Sequence, residues 1–175
     1  MKRIESNRIY TGITLSEVKK HLRITHDLED TSISAITNTA YHIAEDYIFS
    51  KIAITDVQEI TNSYTGQWYR ISEANIINAQ DFSGYTVTVD GVEVDVIEVY
   101  QEKFSTVIKL ATYVNDSKLI VSYQAGLTDL PLPIKQAILV KVGELFDMDR
   151  SGYTVSLSKS NLFELLLNNY ISLYA

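Results

Sequence analysis

The sequence predicts an α+β protein with a mainly α-helical core of about four helices and an inserted small antiparallel β-sheet unit. Three observations predict this class. Residues 15–50 carry apolar side chains at the three- and four-residue spacing of helices. Residues 85–100 alternate between apolar and polar side chains on either side of Asp90-Gly91, the strongest short-range signal for a hairpin. From Pro133 onward the helical spacing returns.

Composition limits the classes of function. The 175 residues suffice for one domain with a modest insertion, and the absence of cysteine excludes disulfides, thiolate metal sites and cysteine nucleophiles. With a net charge of −7, the chain lacks the cationic surface that binds DNA by releasing counterions. A protein of this charge can still form a surface past which DNA slides without binding. No apolar run approaches the roughly 18 residues of a membrane span, and no signal peptide is apparent. We therefore expect a soluble protein with no membrane partner.

The first two helices have defined start signals. Thr14-Leu15-Ser16-Glu17 predicts a capping box that begins a helix over residues 15–23. Asp27 or Asp30 is the expected N-cap of a second helix over residues 28–50. The apolar stripe predicted for this second helix is Ile33, Ile36, Ala40, Ile43 and Tyr47.

The middle of the chain predicts strands, and its last third predicts helices. We expect a turn at Asn115-Asp116 within the strands and a third helix with Pro133 in its first turn. The apolar strip of the third helix is Ile134, Ala137, Ile138, Val142 and Leu145, widened by Leu139 and Phe146. A final helix is predicted over residues 161–171. The predicted organisation is a helical core formed by residues 1–53 and 125–175, with residues 54–124 as the inserted β unit.

Two motifs at the ends of this core resemble those of a known family. The first lies in "LSEVKKHLRITHDLED" and the helix after it, at Leu15, Lys19, His21, Leu22, Arg23, Asp27, Asp30, Ile33, Ala40 and Tyr47. The second lies in "YQAGLTDLPLPIKQAILVKVGELFDMDR", at Tyr123, Ala125, Gly126, Pro133, Ile134, Lys135, Gln136, Ala137, Ile138 and Arg150. The sequence resembles the phage head-tail connector family, the adaptor or head-completion proteins of long-tailed phages and prophages. It departs from the family near its end, where no proline or basic residue follows Tyr170.

The resemblance implies a structural virion protein and not an enzyme. Members form a ring, commonly of twelve subunits, between the portal protein and a downstream tail or stopper protein, and they extend the DNA channel without sequence-specific binding. The resemblance implies no cofactor, synthesis in the host cytoplasm and a final location at the head-tail interface of the virion.

Three groups of residues are candidates for these roles. The last helix is more apolar than one small core contact needs, so docking to the portal or to a neighbouring subunit is predicted for Leu162, Phe163, Leu166, Leu167, Tyr170 and Tyr174. Carboxylates on one side of a strand are candidates for a channel lining that repels DNA, namely Glu93, Asp95 and Glu98. The family motifs imply structural roles for Leu15, Lys19, Leu22, Arg23, Tyr123, Gly126, Pro133, Gln136 and Arg150.

Other functions have weaker support in the sequence. The Trp68–Arg70 region favours strand packing, with a module that binds a sugar or peptide as the alternative function. Asp147 and Asp149 favour a solvated helix face over a hydrolase, since no nucleophile and base accompany them. Surface roles are favoured over metal binding for the histidines, which are His21, His26 and His42. We therefore predict no metal site and no catalytic residue.

Overall fold

The computed structural model describes residues 1–73, 75–77, 81–102, 105–151 and 161–171, with side chains described up to residue 147 in the third helix. The chain forms two compact units. The sheet unit comprises Met1–Ile9 and Ala53–Leu127, and the helical unit comprises Tyr10–Ile52 and Thr128–Ile171. No helix within these described ranges is long and apolar enough to cross a membrane.

The helical unit contains four α-helices among the described residues. They are α1 (Leu15–Leu22), α2 (Asp30–Ile48), α3 (Leu132–Ser151) and α4 (Leu162–Leu167), and a 3-10 turn follows at Asn168–Tyr170. The predicted capping box is confirmed: the Glu17 carboxylate accepts from the Thr14 N–H at 2.9 Å, and the Thr14 hydroxyl accepts from the Glu17 N–H at 3.2 Å. Helix α1 ends where Arg23 adopts a left-handed conformation with φ of 58°.

Helix α2 differs from its prediction at its start and around its axis. Its N-cap is Glu29, which makes no side-chain cap, and the prediction of Asp27 or Asp30 is wrong because both carboxylates are paired with Lys19 instead. The fully buried residues of α2 are Ile33, Thr37, Ala40, Tyr41, Ala44, Glu45 and Ile48. Ile36, Ile43 and Tyr47 are only half-buried, so the buried stripe is rotated relative to the predicted one.

Burial of polar residues explains this rotation. The Thr37 hydroxyl donates to the Ile33 carbonyl at 2.7 Å, and the Glu45 carboxylate accepts from the Ile52 N–H at 2.8 Å. Because these internal bonds satisfy the polar groups, both residues can be buried beside the apolar ones.

Helix α3 contacts each of the other three helices. Most of its predicted apolar strip is confirmed. The buried residues are Ile134, Ala137, Ile138, Val142 and Phe146, and the half-buried ones are Leu139 and Leu145. A helix that is apolar over so wide an arc packs between neighbours and not on one alone.

The sheet unit contains six antiparallel strands among the described residues. They are β1 (Lys2–Ile9), β2 (Ile54–Ile71), β3 (Tyr85–Val89), β4 (Val92–Glu93), β5 (Val96–Gln101) and β6 (Thr106–Ala125). The order is β1-β2-β6-β3-β4, and β5 also pairs with β6. The predicted Asp90-Gly91 turn is confirmed, with φ of 50° and 86°, but β3 and β4 pair over only two residues of each strand.

Strand β6 is bent back on itself. Ile71 pairs with Thr106 at the start of β6, and Ile76 bridges Ala125 at its end. The five peptide steps from Ile71 to Ile76 span at most about 18 Å. A straight strand of 20 residues is about 65 Å long, so β6 cannot be straight.

The bend lies where the pairing of β2 with β6 shifts register. Gly66 of β2 has φ of +147° and Asp116 of β6 has φ of +46°. Asn115-Asp116 is therefore a bend inside one continuous strand and not a turn between two strands. The buried core of the sheet unit consists of Val57, Tyr69, Ile71, Ile76, Tyr85, Val87, Val96, Ile108, Leu110, Val114, Leu119, Val121, Tyr123 and Ala125.

The predicted fold class is wrong in its proportions, although the α+β class holds. The prediction of a mainly helical core with a small β unit fails because the sheet has six strands, of which β2 has 18 residues and β6 has 20. Polar residues at the bend interrupt the alternation of both long strands, which hides their length. Strand β1 has only two apolar residues, Ile4 and Ile9, and so gives no strand pattern.

Candidate assembly surfaces and the family motifs

The first motif closes the loop between α1 and α2. Lys19 Nζ lies 2.5 Å from Asp27 Oδ1 and 2.8 Å from Asp30 Oδ1. Hydrogen bonds to these two carboxylates raise the pKa of Lys19, and Lys19 in turn lowers the pKa of Asp27. Leu15 and Leu22 are half-buried on either side of Val18, which is fully buried. Lys19 thus ties the end of α1 to the start of α2.

The second motif is joined to the first through an ion pair. Lys135 Nζ of α3 lies 2.6 Å from Glu17 Oε1 of α1. The hydrogen bond from Lys135, followed by those from Thr14, lowers the pKa of Glu17 to about 2. Pro133 and Gln136 are exposed on α3, and the Arg150 side chain lies outside the described residues.

Gly126 ends β6 at a point where no side chain fits. Its φ is +135°, and a Cβ atom at this position would lie 2.6 Å from the Ala53 carbonyl oxygen and 2.7 Å from the Ile54 Cα. The Gly126 N–H donates to the Asn75 carbonyl at 2.7 Å. The glycine of the second motif is therefore required by the close approach of two backbone segments.

Tyr123 belongs to a buried polar network centred on Glu59, which sequence reasoning missed. Glu59 is completely buried and accepts from the hydroxyls of Tyr123 at 2.7 Å, Tyr69 at 3.0 Å and Ser72 at 2.5 Å. Burial, followed by the Glu59 charge, raises the pKa of Tyr123. The signal was present, because strand alternation places Glu59 on the same face as the buried Val57.

The α4 residues predicted to dock divide into two groups. Phe163 and Leu167 are buried within the helical unit, and the Phe163 ring lies 5.7 Å from the Tyr47 ring. Leu162 is 45% exposed, while Leu166 and Tyr170 are half-buried, and Tyr174 lies outside the described residues. Leu165, at 67% exposure, adds to the accessible apolar surface.

The three carboxylates predicted to line a channel do not lie along one continuous strand. Glu93 is in β4, Asp95 is in the link to β5, and Glu98 is in β5 after a register shift. Lys109 Nζ lies 3.1 Å from Glu98 Oε1, and the hydrogen bonds from Lys109 and Tyr100 lower the pKa of Glu98. Glu93 and Asp95 are exposed. Their place in a channel lining stays a prediction.

The profile of the phage gp6-like head-tail connector proteins matches residues 12–101, just over half of the chain. The chain belongs to this family. Membership makes it a structural connector between head and tail, as the resemblance implied. No curated protein sequence matches the chain.

Solved structures of gene transfer agent (GTA) particles contain chains with the same fold as this connector. A chain from the neck of an empty particle, computed with C6 symmetry, has a TM-score of 0.77 at 14% identity. A chain from the virion of the native particle has a TM-score of 0.75 at 13% identity, and one from the native neck with C12 symmetry has 0.67 at 12%. Each match covers 100% of the connector and 97% of the other chain.

The connector also carries an exposed aromatic cluster in its sheet unit. Trp68 is 45% exposed, its ring lies 5.4 Å from that of Tyr100, and Lys109 Nζ lies 4.9 Å from its centroid. Arg70 pairs with Glu102 at 2.5 Å. Trp68 therefore packs on the outer face of the strands, whereas the neighbouring Tyr69 is buried in the core.

Candidate metal and acid-base groups are scattered in the connector. No cluster of three or more histidine and carboxylate residues within the described ranges could hold a metal ion. His42 Nε2 lies 3.1 Å from the Tyr10 hydroxyl, and His21 lies near Gly143 of α3. Asp147 is exposed, and the Asp149 side chain lies outside the described residues.

Proposed function

We propose that the connector forms a closed ring at the neck of a virion, between the portal and the tail, and that its role is mechanical and not enzymatic. The observation that carries this proposal is the family match over residues 12–101, which spans α1, α2 and the strands from β2 to β5. The fold likeness to neck components of particles reconstructed with C6 and C12 symmetry supports a ring. We propose twelve copies, the number that the family resemblance implies.

A ring subunit must hold its shape under load, and the two family motifs supply this stiffness. Lys19 fixes the loop between α1 and α2, and the Glu17–Lys135 ion pair fixes α1 against α3. Gly126 allows two backbone segments to meet closely at the end of β6. These residues stabilise the subunit and leave its outer surface for contacts with other subunits.

The charge of the connector suits a channel through which DNA moves. A chain with a net charge of −7 repels phosphates overall, which disfavours retention of DNA on the channel surface. DNA accordingly passes through the ring without sequence-specific binding.

The portal contact is assigned to the exposed apolar face of α4 and the residues after it. Leu162, Leu165, Leu166 and Tyr170 provide this accessible surface. Exposed leucine and tyrosine side chains at a helix surface are typical of protein interfaces.

Localisation in particles tests the proposed function directly. A gold-labelled antibody raised against the purified protein should mark one site per virion, at the head-tail junction. Particles that lack the protein, or that carry the label on the tail shaft or the capsid shell, would show that the proposal is wrong.

A further inference from the structure

The sheet unit has unpaired strand edges that carry exposed apolar side chains. In the part of the chain that the structure describes, strand β1 is the first strand in the sheet order and pairs only with β2, and β4 ends the same order. On β1, Ile4 is 39% exposed and Ile9 is 57% exposed. An unpaired edge exposes backbone N–H and C=O groups, which form a template for a further strand.

These edges differ in charge. The basic edge is β1. Its Arg3 pairs with Glu5 at 3.0 Å and with Glu73 at 3.1 Å, its Arg8 lies 3.9 Å from Glu5, and its Lys2 is exposed. The acidic edge is residues 92–101, comprising β4, its link and β5. This segment contains no basic residue, and its Glu93 and Asp95 are exposed, while Glu98 pairs with Lys109 of β6 at 3.1 Å.

The acidic edge also presents apolar side chains beside its carboxylates. Val92 is 68% exposed, Ile97 is 43% exposed and Tyr100 is 55% exposed. Apolar contacts, backbone hydrogen bonds and opposite charge are thus available together on the two edges.

We propose that β1 of one copy of the connector pairs with the acidic edge of the next copy. This inference rests on the proposed function, because it names the contact that closes the proposed ring. It also gives Glu93 and Asp95 a place at a subunit interface in preference to a channel lining.

Charge favours pairing of the basic edge with the acidic edge over pairing of two identical edges. Two basic edges placed together would repel each other, as would two acidic edges, and either arrangement would give an isolated dimer. Pairing of the basic edge with the acidic edge is head-to-tail, the type of contact that generates a closed ring.

The absence of cysteine allows a direct test by cross-linking. Particles are assembled with the Ser6→Cys/Ile97→Cys variant, which places one thiol on each edge, and are treated with a short bis-maleimide. We expect a ladder of covalent multimers on a denaturing gel. The matched control is Asn62→Cys/Ile97→Cys, in which the second thiol lies on the central strand β2, and we expect no ladder from it.

Other outcomes would overturn the inference in different ways. Covalent dimers from Ser6→Cys alone would mean that β1 pairs with β1, and a product joined to a different virion protein would mean that another partner covers the edge. Rings seen by electron microscopy in particles that give no ladder would leave the proposed function intact and reject this interface. Particles without any ring would reject the proposed function itself.

Charge reversal gives an independent test on exposed residues. Lys2→Glu and Glu93→Lys should each weaken self-association of the purified protein by roughly three- to fivefold at low salt, measured by analytical ultracentrifugation. Combining the two changes should restore association, because the opposite charges face each other again. Two reversals whose effects merely add would contradict the proposed pairing.

Discussion

At the scale of single residues, the two units depend on a few positions where the geometry allows one side chain only. Gly126 must lack a Cβ atom, and Thr14 and Glu17 must exchange hydrogen bonds for α1 to begin. Sequence patterns predicted these positions, because a capping box and a glycine between a strand and a helix are local signals. Strand alternation indicates that Glu59 is buried, but it does not show which hydroxyl groups bind this carboxylate, because Tyr123 and Ser72 are distant from it in the sequence.

Replacement of Gly126 by alanine should destabilise the protein strongly. The new Cβ atom would lie 2.6 Å from a backbone oxygen, and a φ of +135° is strained for any L side chain. We expect a loss of about 3 kcal/mol or more in the free energy of unfolding, measured with urea. The control is Gly91→Ala, where φ is +86° and nothing lies within 4 Å, with an expected loss of about 1 kcal/mol. Equal losses would mean that the contact with Ala53 is unimportant.

The Glu17–Lys135 ion pair should make stability depend on pH. Because the pKa of Glu17 is lowered from 4.5 to about 2, its contribution is fully present above pH 4.5 and is lost as the pH falls towards 2. The difference in Tm between the wild type and Glu17→Gln should therefore shrink between pH 5 and pH 2. Circular dichroism melts at several pH values measure this difference, with Glu164→Gln on α4 as the control. A difference that stays constant over this range would contradict the role of the ion pair.

At the scale of elements, the bent strands β2 and β6 organise the sheet unit. Glu59 and Ser72 are in contact although 13 residues separate them in the chain, and this is possible only because β2 curves. The hairpin turn at Asp90-Gly91 was predictable from two residues. The bend was not, because Asn115-Asp116 gives the same local signal for a bend and for a turn, and the pairing partner decides between them.

Removal of the hydroxyl groups around Glu59 should loosen this bend. Tyr123→Phe leaves a buried carboxylate with one donor fewer, and we expect a loss of about 1.5–3 kcal/mol in the free energy of unfolding. Tyr69→Phe should cost a similar amount, and the double variant should depart from additivity by at least about 0.5 kcal/mol. Tyr113→Phe is the control, since Tyr113 is 67% exposed. A Tyr123→Phe variant as stable as this control would show that the network is dispensable.

At the scale of the whole molecule, the family and the helical unit could be predicted from the sequence, whereas the relative sizes of the helical and sheet parts could not. The periodicity of α3 is a property of one segment and was sufficient to predict its buried face. The size of the sheet depends on β1, whose residues become a strand only because β2 offers its edge. Tertiary pairing of this kind leaves little trace in a charged octapeptide.

The division of α4 into buried and exposed residues should separate folding from assembly. Phe163→Ala should lower the free energy of unfolding by about 3–5 kcal/mol, because Phe163 is 5% exposed. Leu162→Ser/Leu165→Ser should change stability by about 0.5 kcal/mol or less and yet reduce incorporation into particles. Quantitative immunoblots of purified particles measure incorporation. Normal incorporation of this double variant would show that α4 does not form the proposed portal contact.

The position of α3 along the chain has a consequence for synthesis on the ribosome. Helices α1 and α2 leave the ribosome first, yet the helix against which both pack is made after the whole sheet unit. The two early helices therefore lack their main partner until the sheet unit and α3 have been made, and contacts so distant in sequence form slowly. A nascent chain that ends before α3 therefore has no completed helical unit to offer to another subunit.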